Sequence, residues 1–186
     1  MNTIDNLKIY IVSTNTLYTN ELNKAFKGIS NVYIINTDVR LFYKEHKNDI
    51  ECLVSSGNAY GHMTSGYDKA LIDILGLDTL KKVQEYIKEH YYNEQVVSTS
   101  FLIDTSLGVK LIHTPVMQSP SVIKDDLVIY NATRSSIMCA LENDVSSMII
   151  PAFGGGAGFM TPYEVAKNIK DGYLQIKKRS GRKYQF

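Results

Sequence analysis

The chain has little of what usually marks a specialised class of protein. Its 186 residues carry no excess of either charge: 20 basic and 19 acidic side chains leave a formal +1. That balance excludes a polyelectrolyte-like or disordered chain and leaves any nucleic-acid role to a local patch. Cysteine is scarce. Cys52 lies in an apolar run and Cys139 in a helical stretch, with no metal or redox spacing between them. They read as buried free thiols of a reducing compartment. No run approaches the ~18 apolar residues of a membrane span, and the N-terminus lacks a basic region followed by an apolar core. A soluble, cytoplasmic protein without membrane association is expected. His46, His62, His90 and His113 show no ligand spacing, so no metal site is expected. There is no Walker sequence or nucleophile elbow, and Gly154-x-Gly156 has Phe159 where a dinucleotide fingerprint needs a third glycine. No cofactor is therefore expected.

With 44% apolar and 21% charged residues, the chain is long enough for one domain, 1–186, and too short for two ordinary ones. Strands are expected at Leu7–Val12, Val32–Ile35, Ile50–Val54, Val96–Ser100, Lys110–His113 and Ser147–Ile150. Helices are expected from Asn15 or Thr16 to before Gly28, over Tyr67–Leu75, from an Asp78 cap to about Tyr92, from about Asp126 to Leu141, and over Pro162–Lys177. Strands alternating with helices argue for an α/β fold, a three-layer α/β/α sandwich around a mostly parallel mixed sheet. Ligands in such sheets sit beyond the carboxyl ends of the strands, where the segments after Val54 and Ile150 leave.

The most informative segment is Pro151-Ala152-Phe153-Gly154-Gly155-Gly156-Ala157-Gly158, in which an apolar strand runs into four glycines within five residues and then into a helix. Without Cβ atoms, successive N–H groups can turn onto an anionic group, and the positive end of the following helix favours the same charge. A diphosphate is the natural occupant. The second segment, Val54 to Asp68, joins a strand end to a helix start and holds Asn58, Tyr60, His62, Gly66 and Tyr67. Two readings stand for its polar residues. Asn58 either meets ribose hydroxyls or holds the turn, and Asp68 either activates a water or complements the helix dipole.

In register with the glycine loop, these segments resemble the macro domain, the ADP-ribose-binding family. Its strand-ending Asn-Ala-Ala-Asn is matched by Ser55-Ser56-Gly57-Asn58, which keeps the final asparagine, and its Gly-Val-Asp by Gly66-Tyr67-Asp68. Thr37-Asp38-Val39 resembles Gly-Asp-Ile, and Pro151–Gly158 the second phosphate loop, the whole likeness running from about residue 7 to 176. By this resemblance Asp38 and Val39 would hold adenine, with the carboxylate of Asp38 on its amino group. Asn58 would hold the distal ribose. The two loops, with Tyr60, Gly66, Tyr67, Asp68, Pro151, Gly154, Gly155, Gly156, Ala157, Gly158 and Phe159, would line the rest. Asp38 as a mere helix or turn cap is the weaker alternative, since Asn36 and Thr37 could cap equally well.

The chain also departs from the family. Met63-Thr64-Ser65-Gly66 stands where hydrolytic members carry a run of glycines, and Ile72 where many carry a histidine. Phe159 replaces a small residue, and the resemblance implies that it stacks on the distal ribose or narrows its pocket. No strand after the last helix brings an aromatic under adenine, a place that Tyr173, Tyr184 or Phe186 would have to take. The pattern is most like compact stand-alone members of phages and bacteria. The implied function is binding of ADP-ribose, a close derivative or ADP-ribosylated protein, with sequestration of a signal in phage–host conflict as one use, in the host cytoplasm if phage-encoded. The alternative is a hydrolase removing ADP-ribosyl, O-acetyl or 1″-phosphate groups, with Asp68 and Asn58 as its catalytic residues. A basic tail at about 177–186 is a solvated helix end on the plainest reading, so nucleic acid is not expected as a partner.

Overall fold

In a computed structural model, residues 3–180 are described. A short 3₁₀ turn, Ile4–Asn6, precedes β1 (Lys8–Ser13), α1 (Thr16–Ala25), β2 (Val32–Asn36) and α2 (Val39–His46). Then follow β3 (Cys52–Ser55), α3 (Gly66–Leu75), α4 (Leu77–Tyr91), β4 (Phe101–Asp104), β5 (Lys110–His113), α5 (Leu127–Glu142), β6 (Ser147–Pro151) and α6 (Pro162–Ser180). The six-stranded sheet has the order β2-β1-β6-β3-β5-β4. All its pairs are parallel except β4 with β5.

Side chains of a strand alternate between faces, and here both faces are apolar. Ile9, Ile11, Cys52, Val54, Met148 and Ile150 point into one core with Leu22, Ile137 and Ile169 of α1, α5 and α6. Val12, Leu53, Leu111 and Ile149 point into the other with Phe42, Leu71 and Val83 of α2, α3 and α4. Burial on both sides explains why these strands read as continuous apolar runs rather than alternating ones. Each fully buried Ile or Leu contributes roughly 1.5–3 kcal/mol of transfer free energy. The three layers are those expected from the alternation of elements.

Several elements differ from expectation. Val96–Ser100 is not a strand: Ser98 takes a left-handed conformation (φ 67°), and Thr99 N–H closes a turn onto Val96 C=O. Extension starts only at Phe101, where Phe101 and Ile103 enter one core and Leu102 the other. The third strand starts two residues later than expected, at Cys52. The helix α2 has no counterpart among the expected elements, because its eight residues make only about two turns; it buries Val39 and Phe42. Gly76 (φ 90°), rather than Asp78, stands at the N-terminus of α4, closing α3 as it does so. Residues 177–180 of the expected basic tail belong to α6, with Lys177 paired to Asp5 at 3.0 Å, and the rest of the tail lies outside the described residues.

Candidate functional site

The carboxyl ends of β1, β2, β3 and β6 open onto a cleft of about 510 Å³. This volume suits a small-molecule ligand. Each wall comes from a strand-to-helix connection, and the N-termini of α1, α2 and α3 line the cleft, those of α1 and α2 capped by Asn15 and Asp38.

The floor is made by β3 and α3. Asp68, in the first turn of α3, accepts a hydrogen bond from the Ser55 hydroxyl at 2.8 Å and from Ser56 N–H at 3.0 Å. It ties the helix to the end of the strand. Gly57 packs against this carboxylate so closely that a Cβ there would collide with Asp68 Oδ2. Any side chain at position 57 would push this carboxylate from its place beside Ser55. Asp68 is buried, and desolvation pushes its pKa up to about 6 although both hydrogen bonds pull the other way. Behind Gly57, His113 is fully buried with Nδ1 2.6 Å from Gln95 Oε1. Burial lowers its pKa to about 3, so it is a neutral core residue.

Asn58 is also buried. Its Oδ1 accepts from Tyr60 N–H at 3.0 Å and His62 N–H at 3.3 Å, and Ala59 N–H donates to Met117 C=O at 2.9 Å. The turn-holding reading of Asn58 is thus met in full, and its side chain lines the cleft as well. The N-terminus of α3 is different. Ser65 makes no capping hydrogen bond there, and Ser65, Gly66, Tyr67 and Asp68 line the cleft. The Tyr67 hydroxyl is buried without a partner among the described residues.

The opposite wall is the loop from β6 to α6. Gly155 N–H donates to Ala152 C=O, Met160 N–H to Gly154 C=O, and the Tyr18 hydroxyl to Met160 C=O at 2.6 Å. A Cβ on Gly155 would sit 2.9 Å from the Tyr18 ring and 3.1 Å from Ala152 O. Gly155 thus packs directly against the Tyr18 ring. Among the described residues the amides of Gly156, Ala157 and Gly158 donate to no backbone carbonyl, and all three residues line the cleft.

At the β2 end, Asp38 accepts from Arg40 N–H at 2.8 Å, so it is after all the cap of α2. Arg40 holds it further, Nε at 2.9 Å and Nη2 at 2.6 Å, and reaches Asp73 with Nη1 at 3.0 Å. The hydrogen bonds from Arg40 hold the Asp38 carboxyl below its usual range. A carboxylate offers about four acceptor positions, of which Arg40 fills three, and Asp38, Val39 and Arg40 all line the cleft.

The structure therefore gathers Asp38, Val39, Asn58, Gly66, Tyr67, Asp68, Pro151, Gly154, Gly155, Gly156, Ala157 and Gly158 around one cleft. Two expected residues are not in its lining. Tyr60 turns to the His62 ring (centroids 5.8 Å apart), and Phe159 is 76% exposed in a left-handed conformation (φ 52°). The positive φ that lets the loop turn carries the Phe159 ring out to solvent rather than into the cleft. Tyr173 does not take the adenine-stacking place either, being buried in the core with its hydroxyl on Asn31 Oδ1 at 2.7 Å. Tyr184 and Phe186 lie outside the described residues. Sequence reasoning missed Ser13 at the end of β1, Thr14, Asn15 and Tyr18 beyond it, and Val116, Met117 and Pro120 after β5. The β1 residues were within reach, since β1 is a parallel strand whose carboxyl end lies on the same edge. No described group of three or more His, Cys, Asp or Glu side chains could hold a metal ion. No helix of the described residues is long and apolar enough to cross a membrane.

A cleft walled by helix N-termini and a glycine-rich loop defines an anion- or nucleotide-binding α/β domain. The family model of the macro domain matches residues 54–169, and the chain belongs to that family. Solved structures agree on the fold. The Oceanobacillus iheyensis macrodomain with ADP superposes with a TM-score of 0.60 at 17% identity, covering 69% of this chain and 70% of that one. The macrodomain of Mycobacterium tuberculosis DarG gives 0.59 at 19% identity, covering 69% and 84%. The Trypanosoma brucei macrodomain in complex with ADP gives 0.59 at 16%, covering 71% and 53%. No curated protein matches the sequence.

Proposed function

We propose that the chain binds ADP-ribose or a close derivative in this cleft. The observation that carries the reading is the presence, around one cleft, of two backbone donor sets: the unpaired amides of residues 156–158 and the uncapped N-terminus of α3. The cleft's cation, Arg40, is engaged by Asp38 and Asp73, so backbone groups are left to meet the diphosphate. The remaining acceptor position of Asp38 suits the adenine amino group, and the amide of Asn58 suits ribose hydroxyls. Macrodomains of the same fold with ADP bound support this ligand class. Sequestering a free nucleotide and recognising ADP-ribose on a protein would draw on the same groups. Isothermal calorimetry with ADP-ribose, beside AMP and NAD, tests the reading. Micromolar affinity, about −8 kcal/mol, weakened by Asp38→Ala and Asn58→Ala, is expected. An absence of heat with ADP-ribose contradicts it.

A hydrolytic reading has one observation in its favour: Asp68 lines the cleft with its pKa raised to about 6, near the range of a working acid or base. Both its oxygens already accept hydrogen bonds from Ser55 and Ser56, which favours the binding reading. A general base contributes ~10²–10⁴-fold, so turnover that survives Asp68→Ala removes this mechanism.

A further inference from the structure

Among the described residues two carboxylates line the cleft, and they are held in different ways. Asp68 is buried on the floor against Ser55 and Ser56. Asp38 stands on the wall with its side chain 28% exposed, clamped by Arg40. Arg40 Nε meets Asp38 Oδ1 at 2.9 Å while Nη2 meets Oδ2 at 2.6 Å, so the guanidinium fork lies across both oxygens. Arg40 N–H takes a second position on Oδ1 at 2.8 Å. Oδ1 is therefore filled, and Oδ2 keeps a single acceptor position. Hydrogen bonds from Arg40 also keep the carboxyl ionised, so it offers acceptors only.

The clamp is anchored from a second helix. Arg40 Nη1 donates to Asp73 Oδ2 of α3 at 3.0 Å, and Lys69, one turn earlier on α3, pairs with Asp73 Oδ1. The guanidinium cannot swing off Asp38 without breaking a further ion pair. Half-exposed ion pairs contribute little to stability. What the clamp changes is the number of donors that Asp38 can still accept.

That number separates the two purines. On its Watson–Crick edge guanine carries two parallel N–H donors, at N1 and N2, which match the two oxygens of a free carboxylate as an arginine fork does. Adenine carries one donor there, the N6 amino group, beside the acceptor N1. A carboxylate whose fork face is already taken leaves a donor of guanine unpaired, which weighs against binding. One acceptor position is all that adenine needs.

We propose that Arg40 sets the base preference of the cleft: by occupying the fork face of Asp38, it favours adenine nucleotides and disfavours guanine nucleotides. The role rests on nucleotide binding in the cleft as proposed above, with the base at Asp38. Arg40 acts through Asp38 and is a positioning residue, so its removal should produce a gain of guanine binding.

The test is calorimetry of the full chain with ADP and, separately, GDP, for the parent and for Arg40→Met. The parent is expected to bind ADP at least about tenfold more tightly than GDP. In Arg40→Met the backbone N–H stays on Oδ1 and one position on each oxygen is freed. GDP should then gain until the preference shrinks about tenfold or reverses. Any contribution of Arg40 to stability or to the phosphates moves both nucleotides alike and leaves their ratio unchanged. Arg40→Lys, a point charge without the fork, should shrink the preference as well and serves if Arg40→Met fails to fold. Equal affinity of the parent for ADP and GDP, or an unchanged ratio in a variant that binds ADP, overturns the role of Arg40 alone. A parent that binds neither these nucleotides nor ADP-ribose overturns the proposed function, and this role with it.

Discussion

The two loops that flank the cleft do opposite things with their polar groups. In the loop from β3 to α3, side chains are consumed internally: Asn58 holds the turn through Tyr60 and His62 N–H, and Asp68 ties α3 to Ser55 and Ser56. In the loop from β6 to α6, glycines remove side chains, and the amides of Gly156, Ala157 and Gly158 are left without backbone partners among the described residues. One loop is stiff because its side chains are spent, and the other is receptive because its backbone is not. A residue type suited to ligand chemistry thus holds the turn in the first loop, whereas small residues in the second leave backbone amides without backbone partners among the described residues.

The largest break of this contrast is Gly155→Val. A branched side chain there meets the Tyr18 ring and Ala152 O and must displace the loop. Loss of two charge-assisted backbone hydrogen bonds predicts an ADP-ribose affinity lower by ~100-fold or more, read by calorimetry, with the fold retained. Asn58→Ala comes next. It removes the acceptor of two loop N–H groups, so stability should fall by about 1–3 kcal/mol in denaturant unfolding, and affinity by roughly tenfold. An unchanged stability with lost binding would make Asn58 a ligand group rather than a scaffold.

The smallest effect sharpens the role of Asp68. Its folded pKa of about 6 stands above the ordinary 3.8, so the native state binds the proton more tightly than the unfolded chain. This contribution to stability is full below pH 3.8 and is lost as pH rises through about 6. Asp68→Asn keeps an acceptor for Ser56 N–H and abolishes the titration. It should be more stable than the parent at pH 7 by about 1–2 kcal/mol, with the gain fading toward pH 4. Thermal unfolding across that range checks it. His113 shifts the other way, its stability present above pH 6.5 and lost as pH falls toward about 3. Because His113 is common to both proteins, the difference isolates Asp68.

The layers and the order of elements were legible because parallel strands buried on both faces leave long apolar runs, as in Cys52–Val54 and Met148–Ile150. The short helix α2 was not, since its eight residues make only about two turns, less than the window in which a helical period can be told apart. The break at Ser98 was hidden because a left-handed serine carries no sequence mark comparable to glycine. The glycine loop pointed to the cleft directly, since its residue types have few other uses. The roles of Asn58 and Asp38 were open in the sequence because holding a turn, capping a helix and meeting a ligand all ask for the same polar side chains. Phe159 shows the limit most plainly: its neighbours fix the loop, but only the backbone angle decides that its ring leaves the cleft.

The most direct test of backbone recognition is a ¹H–¹⁵N titration of the parent chain with ADP-ribose, following the amides of Gly156, Ala157, Gly158 and residues 66–68. Saturable shifts concentrated at both donor sets, with a common micromolar affinity, are the predicted result. Binding that leaves these amides unmoved, or no binding at all, would contradict it.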